Sequence, residues 1–596
     1  MFDQTRPDQT GYDSSFFHTS YSGKKVLVLV PHQDDEINVG ANSIQNFLHA
    51  GADVYVMFAN SGDYYSWYSF DVRMTEAVNS LAVLGLDRSH IFILGYGETL
   101  NGAESGHIFY TTDNVLKSPR GHTETYGAAG LQEFGYIAHG VHSTYCSNSY
   151  RKDLKELILQ VRADIIIATD FDLHADHRML SLSFDKVMGE ILSRSDNDYF
   201  PEVFRKFAYC TSWLNDLDLF DEAKFILSTA KPKPRITPSY DKQIIDTSYY
   251  SWNERTRFPV PEPSRKQLAE NITNLALLQH VSQTAYVQAG RVINGDDVSW
   301  RRRTDSLSFK AHVKATSGIP EMANDFRLLN VADVDSDAPD WVNYLWIPDE
   351  TDNVKELVFT WDAEQTISRV VLWGNVDGVP LEKVSVSMNT GWTAEIGSLP
   401  ENGLPYVMDI PEQKAVTECR IKVISQGSAG AGLAEVEFFA QREQKPVVQP
   451  FIQITTGGNF VYEYLRTPDE MSIPIECYMY RTDSEVNYEV IGPAHLENGI
   501  LSFEGSSKDT VILKAYTDDG MFCRSVFRTV SHEEISRINS RHKRDRRRLE
   551  FAHFIALNKL RIRVYSGLLV KKGPITMLKI LAGKIVKKIK RKLIRQ

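Results

Sequence analysis

The stretch V-L-V-L-V-P-H-Q-D-D-E-I-N-V-G-A-N-S-I-Q-N-F-L-H, Val26 to His49, decides the fold. An unbroken apolar run, Val26 to Val30, stops at Pro31, and Glu36 to His49 then carries apolar residues at helical spacing. Asp53 to Ala59 reads as the next strand. A strand that is apolar without alternation is covered on both faces, as in parallel sheets with helices on either side. The unit recurs later in the chain. Leu154, Leu157, Ile158 and Val161 share a helical face, D-I-I-I-A-T follows from Asp164 to Thr169, and a polar string comes next. From Lys25 to about Gly318 strand-like and helical runs alternate, which predicts an α/β fold, Rossmann-like, with a mainly parallel sheet. In such sheets, sites are built at the carboxyl ends of strands.

Both of those ends are rich in metal-binding side chains. P-H-Q-D-D-E, Pro31 to Glu36, places one histidine and two adjacent carboxylates where strand turns into helix. Zinc accepts imidazole nitrogen and carboxylate oxygen, and a hydrolytic site uses three protein ligands. His32 and Asp35, three apart, can converge on one ion and leave Asp34 to act as a base. D-L-H-A-D-H, Asp172 to His177, can add the third ligand, with the other histidine serving in acid/base chemistry and an acidic neighbour fixing a tautomer. Ferrous iron accepts the same donor atoms.

Together the two strings resemble the PIG-L/LmbE-like family of de-N-acetylases, whose pattern is H-P-D-D-E after one strand and H-x-D-H after another. The resemblance implies His32, Asp35 and His177 as metal ligands, Asp34 as general base, His174 as acid or oxyanion stabiliser, and Asp176 as its orienting partner. Arg73 with Glu76, Leu94 to Tyr96, and Trp300 to Asp305 extend it over roughly the first half of the chain. It also implies the chemistry: metal-assisted hydrolysis of the acetamide of an N-acetylglucosamine-type sugar, lipid-linked or part of a cell-surface glycan precursor. Arg73 is the candidate contact to a substrate phosphate or hydroxyl, the bland alternative being a helix-surface ion pair with Glu76. Gln33 departs from the pattern by replacing proline, and altered loop stiffness is the expected consequence. His107, His122, His139 and His142 fall in polar, Gly-rich sequence and are read as solvated; Arg301, Arg302 and Arg303 are read as structural or rim charges.

Beyond Pro320 the helical period gives way to short strands: Glu356 to Trp361, Ile367 to Trp373, Lys383 to Met388, Cys419 to Ser425 and Leu433 to Phe439. Their spacing predicts a β-sandwich. Gly427 to Phe439 resembles the last strand of galactose-binding-like jelly rolls, such as discoidin and carbohydrate-binding modules. A second, Ig-like β domain is expected after the Pro-containing stretch Gln444 to Pro450, with Asp519-Gly520 turning a hairpin between Val511 to Tyr516 and Met521 to Thr529. The expected division is 1–320 for the deacetylase unit, 321–442 and 446–531 for two β-sandwich domains, and 532–596 for a basic helical tail.

Charge is unevenly placed. The chain is −11 overall, but residues 535–596 hold 20 basic residues against Asp545 and Glu550, making that segment +18 and the remainder −29. After Pro574, Ile575, Leu578, Leu581, Ile585, Ile589 and Leu593 recur every three or four positions, with lysine and arginine opposite. An amphipathic basic helix of this kind suits an anionic membrane surface, reached through residues 574–596, better than nucleic acid, which needs charge alone. The five scattered cysteines form no C-x-x-C pair, and the polar start of the chain lacks the pattern of a secretory signal. A cytoplasmic protein, peripheral on the inner membrane face, is the expectation. The competing readings are a glycan-binding scaffold with a silent hydrolase half, and an amidase acting on another N-acyl sugar conjugate.

Overall fold

The computed structural model describes residues 13–63, 70–98, 114–118, 120–171, 174–208, 213–214, 231–232, 250–285, 289–328, 345–375, 379–505 and 510–594. Its first part is a seven-stranded sheet. The strands are β1 (Lys25–Val30), β2 (Asp53–Asn60), β3 (Ile91–Tyr96), β4 (Ile165–Thr169), β5 (Glu202–Lys206), β6 (Thr256–Pro259) and β7 (Asp296–Arg302), in the order β3-β2-β1-β4-β5-β7-β6. The pairs from β3 to β5 are parallel, and β7 runs antiparallel to both β5 and β6.

Period two divides each central strand between two cores. Leu27 and Leu29 of β1, with Ile166 and Ala168 of β4, join one cluster, while Val26, Val28 and Val30, with Ile165 and Ile167, join the other. Helices α1 (Asp35–His49) and α2 (Phe70–Val83) cover the second face through Ile37, Ile44, Phe47, Met74 and Leu81. Helix α3 (Ser147–Val161) covers the first with the expected row Leu154, Leu157, Ile158 and Val161, beside α4 (Ala175–Leu192). Strand order reverses between β1 and β4, so the loops leaving their carboxyl ends diverge to opposite faces and open a crevice. Both ligand-rich strings lie there.

The second β region differs in detail from expectation. The two strands foreseen within 356–373 are one, Glu356–Gly374, and Cys419 to Ser425 is the end of Pro405–Ser425. Register shifts between Thr360 and Arg369 interrupt their pairing, and such bulges let a long strand bend through both layers of a sandwich. Ahead of the expected boundary at residue 320, His312–Ala315 already pairs with Glu356–Gly374.

The third region, also β, includes the foreseen hairpin: Thr510–Tyr516 pairs antiparallel with Phe522–Thr529, and Gly520 takes the positive φ of the turn. It also contains a parallel pair, Glu463–Arg466 with Phe522–Thr529. Both β regions share the N-terminal cores, the second through Val371, Trp373 and Phe439, the third through Val448, Phe451 and Tyr480. Buried Glu202 on β5 joins them by accepting the Val447 and Val448 amides at 3.0 Å and pairing with Arg481.

His532–Ile594 is helical and breaks at Gly573 (φ 75°, ψ 165°), next to Pro574. The apolar stripe expected from Ile575 to Leu593 concerns side chains outside the described residues. No helix among the described residues is long and apolar enough to cross a membrane.

Candidate active site

The β1 and β4 loops bring His32, Asp35, Asp176 and His177 together, all buried, with His174 beside them at 28% side-chain exposure. Asp35 is the first residue of α1, and its Oδ2 lies 3.1 Å from both His32 Nδ1 and His177 Nε2. Asn38 Nδ2 donates to its other oxygen at 3.2 Å. Asp176 Oδ2 sits 3.0 Å from His32 Nε2, and Asn60 Nδ2 donates to Asp176 Oδ1 at 3.0 Å. His32, His174 and His177 each present a ring nitrogen within 4.8 Å of the others.

This donor set fits a divalent ion. Two imidazoles and a carboxylate from loops more than 140 residues apart in sequence converge on one point, with a third imidazole adjoining, and N,N,O ligation is what zinc or ferrous iron accepts. The electrostatics agree. Burial works to raise the Asp35 carboxyl, yet His177 and His32 at its oxygen hold it well below the usual carboxylate range. Burial works to lower the His32 imidazole, but Asp176 and Asp35 raise it to about 9. A metal binding to such an imidazole displaces the proton that the carboxylates now favour.

Asp34 precedes Asp35 at the start of α1. Its φ of 132° and ψ of −21° lie in a region that costs a non-glycine residue of order 1–3 kcal/mol. Burial and the neighbouring Asp35 push its carboxyl up to about 6, against the opposing pull of Arg73 and His280. Glu36 Oε2 accepts the Asp34 amide at 2.8 Å, and Glu36 Oε1 lies 2.5 Å from His280 Nε2. His280, buried and 244 residues away, thus props the turn that carries Asp34.

His174 caps α4, with Nδ1 accepting the Asp176 amide at 3.2 Å, so the proton of its neutral ring belongs on Nε2. Asp176 Oδ2 is 3.5 Å from that Nδ1, so its nearer imidazole is that of His32.

Arg73 is buried, not a surface residue, and its partner is not Glu76. Nη1 donates to Glu98 Oε1 at 2.8 Å and to Gly62 O at 3.2 Å, and Nη2 donates to Gln33 O at 3.3 Å. Glu76 instead accepts Ser282 N and Oγ at 2.9 and 2.7 Å. Gln33 braces its loop in proline's place by donating from Nε2 to Asn60 O at 2.8 Å. Gly62 holds φ 64°, and a Cβ there would lie 2.6 Å from Arg73 Nη1.

Of the outlying histidines, His139 pairs with Glu156 at 2.6 Å, His142 with Glu133, and His122 stacks on Tyr126; His107 lies outside the described residues. His139, Asp153 and Glu156 form a second group of ligand type, but Asp153 already accepts the Tyr96 hydroxyl at 2.7 Å. Arg301 pairs with Glu443 and Arg303 with Asp305, and Arg302 is buried near Glu437, which fits structural charges.

Residues 27–187, the span that holds both strings, match the PIG-L family model, described as GlcNAc-PI de-N-acetylase. This stretch is a PIG-L domain. Among solved structures the chain is similar to the N,N'-diacetylchitobiose deacetylase from Pyrococcus horikoshii, at 16% identity over 33% of this chain, with a TM-score of 0.21. That match spans 65% of the deacetylase's own length. A second similarity is to the family 32 CBM from C. perfringens NanJ, at 20% identity, 22% of this chain, 92% of that one and a TM-score of 0.17. A third is to chitosan-binding module 1 of a chitosanase/glucanase from Paenibacillus sp. IK-5, at 15% identity, 22% and 98% coverage and a TM-score of 0.17. No curated protein matches the chain.

The buried His280–Glu36 pair under the PIG-L domain gives a test of the wall. The folded His280 imidazole is raised to about 9 from 6.5, mainly by Glu36 once burial is offset. A raised pKa means that the contribution is complete below pH ~6.5 and lost as pH rises through ~9; the shift corresponds to about 3 kcal/mol. Urea unfolding of His280→Gln against the parent is expected to show that difference at pH 6 and little of it at pH 10.

Proposed function

We propose that the chain is a metal-dependent hydrolase that removes the acetyl group from an N-acetylglucosamine-type sugar. The observation that carries the reading is the meeting of His32, Asp35 and His177 at one shared oxygen, next to Asp34 on its strained backbone turn. The PIG-L match across both strings supports the same chemistry.

His32, Asp35 and His177 would hold the ion, zinc or ferrous iron. When bound, it supplies Lewis-acid polarisation of the amide carbonyl and lowers the pKa of water toward about 7. Asp34, raised to about 6, is matched to accept the proton of the attacking water near neutrality. The water oxygen bonds to the acetyl carbon and the C–N bond breaks, giving acetate and the sugar amine. His174 would stabilise the oxyanion through its Nε2–H and, as imidazolium beside Asp176, protonate the departing nitrogen. Asp176 buttresses the imidazoles, and Arg73 ties the loop at Gln33 to the loop at Gly62, through which it can act on substrate placement. The test is acetate release from N-acetylglucosaminyl substrates, free and lipid-linked, set against larger acyl amides. A chain that cleaves only the larger amides is not a sugar deacetylase.

We further propose that residues 574–596 hold the protein on an anionic membrane surface on the cytoplasmic side. The helix before the break supports this, since Phe551, Phe554, Ile562 and Val570 are exposed among arginines. Sedimentation with vesicles containing anionic lipid is expected to fall at least tenfold when 574–596 is removed, at about 1 kcal/mol per basic residue near the surface. Equal binding by the truncated chain would take the tail out of the account.

A further inference from the structure

A cleft of about 910 Å³ lies where the N-terminal sheet meets the second and third β regions, and it shares no lining residue with the histidine cluster. Arg255, Arg301, Arg302, Arg303, Arg369 and Arg481 line it, against four carboxylates, Glu254, Glu437, Glu443 and Asp483. Four of the guanidiniums are matched within the protein: Arg301 to Glu443, Arg303 to Asp305, Arg369 to Asp409 and Arg481 to Glu202.

Arg255 is not matched in that way, and Arg302 is held only by a long pair with Glu437. Arg255 lies over the Trp252 ring at 4.4 Å and donates from Nη1 to the Trp252 carbonyl, while its buried Nε meets no acceptor among the described residues. Arg302 is 3% exposed and lies over the Phe326 and Trp373 rings at 4.4 and 5.1 Å; its Nε and Nη2 make no hydrogen bond among the described residues, and its ion pair with Glu437 Oε1 is long, at 3.7 Å. Burial and the neighbouring Arg257 pull the Arg255 guanidinium below its usual value, as expected of a cation short of counter-charge. Buried donors of this kind are costly unless an acceptor arrives. Aromatic surface adjoins them, since half-buried Tyr250 lines the cleft, stacked on Trp300 at 5.4 Å.

We propose that this cleft binds an acidic saccharide, with Arg255 taking its anionic group and Tyr250 packing against a sugar ring. The volume fits a short oligosaccharide segment, and the planar guanidinium fork suits a carboxylate or phosphate. A nucleic acid is disfavoured, because most of the cleft's arginines are already neutralised and the body outside the tail carries −29. The spare charge serves one or two isolated anions, not a phosphate at every unit. The site goes beyond the proposed hydrolysis and is independent of it, because binding is measured without turnover.

The test is calorimetry of the full chain with tetragalacturonate, with glucose 6-phosphate, with neutral cellotetraose, and with an eight-nucleotide oligothymidylate. Tetragalacturonate is expected to bind at least about tenfold more tightly than cellotetraose, and more weakly as salt rises. Arg255→Gln and Tyr250→Ala should each weaken it by about tenfold. Arg255→Lys, which keeps charge and stem but not the fork, should lie between, and acetate release from a soluble N-acetylglucosaminyl substrate should be unchanged in all three. Preference for glucose 6-phosphate would make the anion a phosphate and uphold the class. Equal affinity for cellotetraose or the oligothymidylate, no binding of either acidic sugar, or binding indifferent to Arg255→Gln would overturn the proposal.

Discussion

Asp34→Asn is expected to leave a folded protein that still takes up its metal and releases acetate about 10²–10⁴-fold more slowly, the usual contribution of a positioned base. The substitution is nearly isosteric, and asparagine tolerates positive φ better than most residues, so the strained turn at φ 132° should survive. What it removes is the carboxyl that burial and Asp35 hold near 6. Metal content and kcat measured on one preparation separate the two effects. A loss of metal along with activity would make Asp34 part of the ligand set, and undiminished turnover would remove it from the reaction.

The other large effect is expected at Asp35. Its Oδ2 is the point at which the two loops meet, 3.1 Å from an imidazole of each. Removing one partner of a buried ionic cluster costs about 3–5 kcal/mol, because the remaining charges lose their match in low dielectric. Asp35→Ala should therefore lower stability by that amount in chelator, and a further gap should open when metal is supplied, since only the parent gains binding energy. The sign with pH follows from the direction of the shift. A depressed carboxyl contributes fully above its unfolded pKa near 4, while His32, raised to about 9, contributes fully only below about 6.5, so the penalty should be largest between those limits, shrink in strong acid and fall again as pH rises toward 9. Urea unfolding at pH 7 and pH 3, with and without chelator, reads both effects.

The two loops were legible because each follows a strand whose apolar run is too continuous for anything but a doubly covered sheet. His32, Asp35, His174, Asp176 and His177 carry their chemistry in local strings, and the switch between β1 and β4 brings those strings together. What local reading does not reach is the wall behind them. Glu36 resembles an ordinary acid in the first turn of a helix until His280 arrives from 244 residues away, and Glu76 resembles a surface partner for Arg73 until Ser282 takes it. Both pairings are set by how the later chain packs on α1 and α2, and no period or spacing encodes that.

The β regions were legible as strands but not as continuous ones. The residues between Trp361 and Ile367 read as a break between two strands, whereas the chain bends there through register shifts without leaving the sheet. The orientation of Asp176 was legible only in part: a neighbour of both imidazoles, it is 3.0 Å from His32 and 3.5 Å from His174.

One divalent ion, gripped by both loops, would make the crevice an amide hydrolase. The most direct measurement is stepwise return of zinc or ferrous iron to chelator-stripped full-length protein, with acetate release followed at each addition. Activity should start near zero, rise in proportion to metal and level off at about one equivalent per chain, as a single three-ligand site requires. Acetate release that persists in the stripped protein, or that stays absent with one equivalent bound, would contradict it.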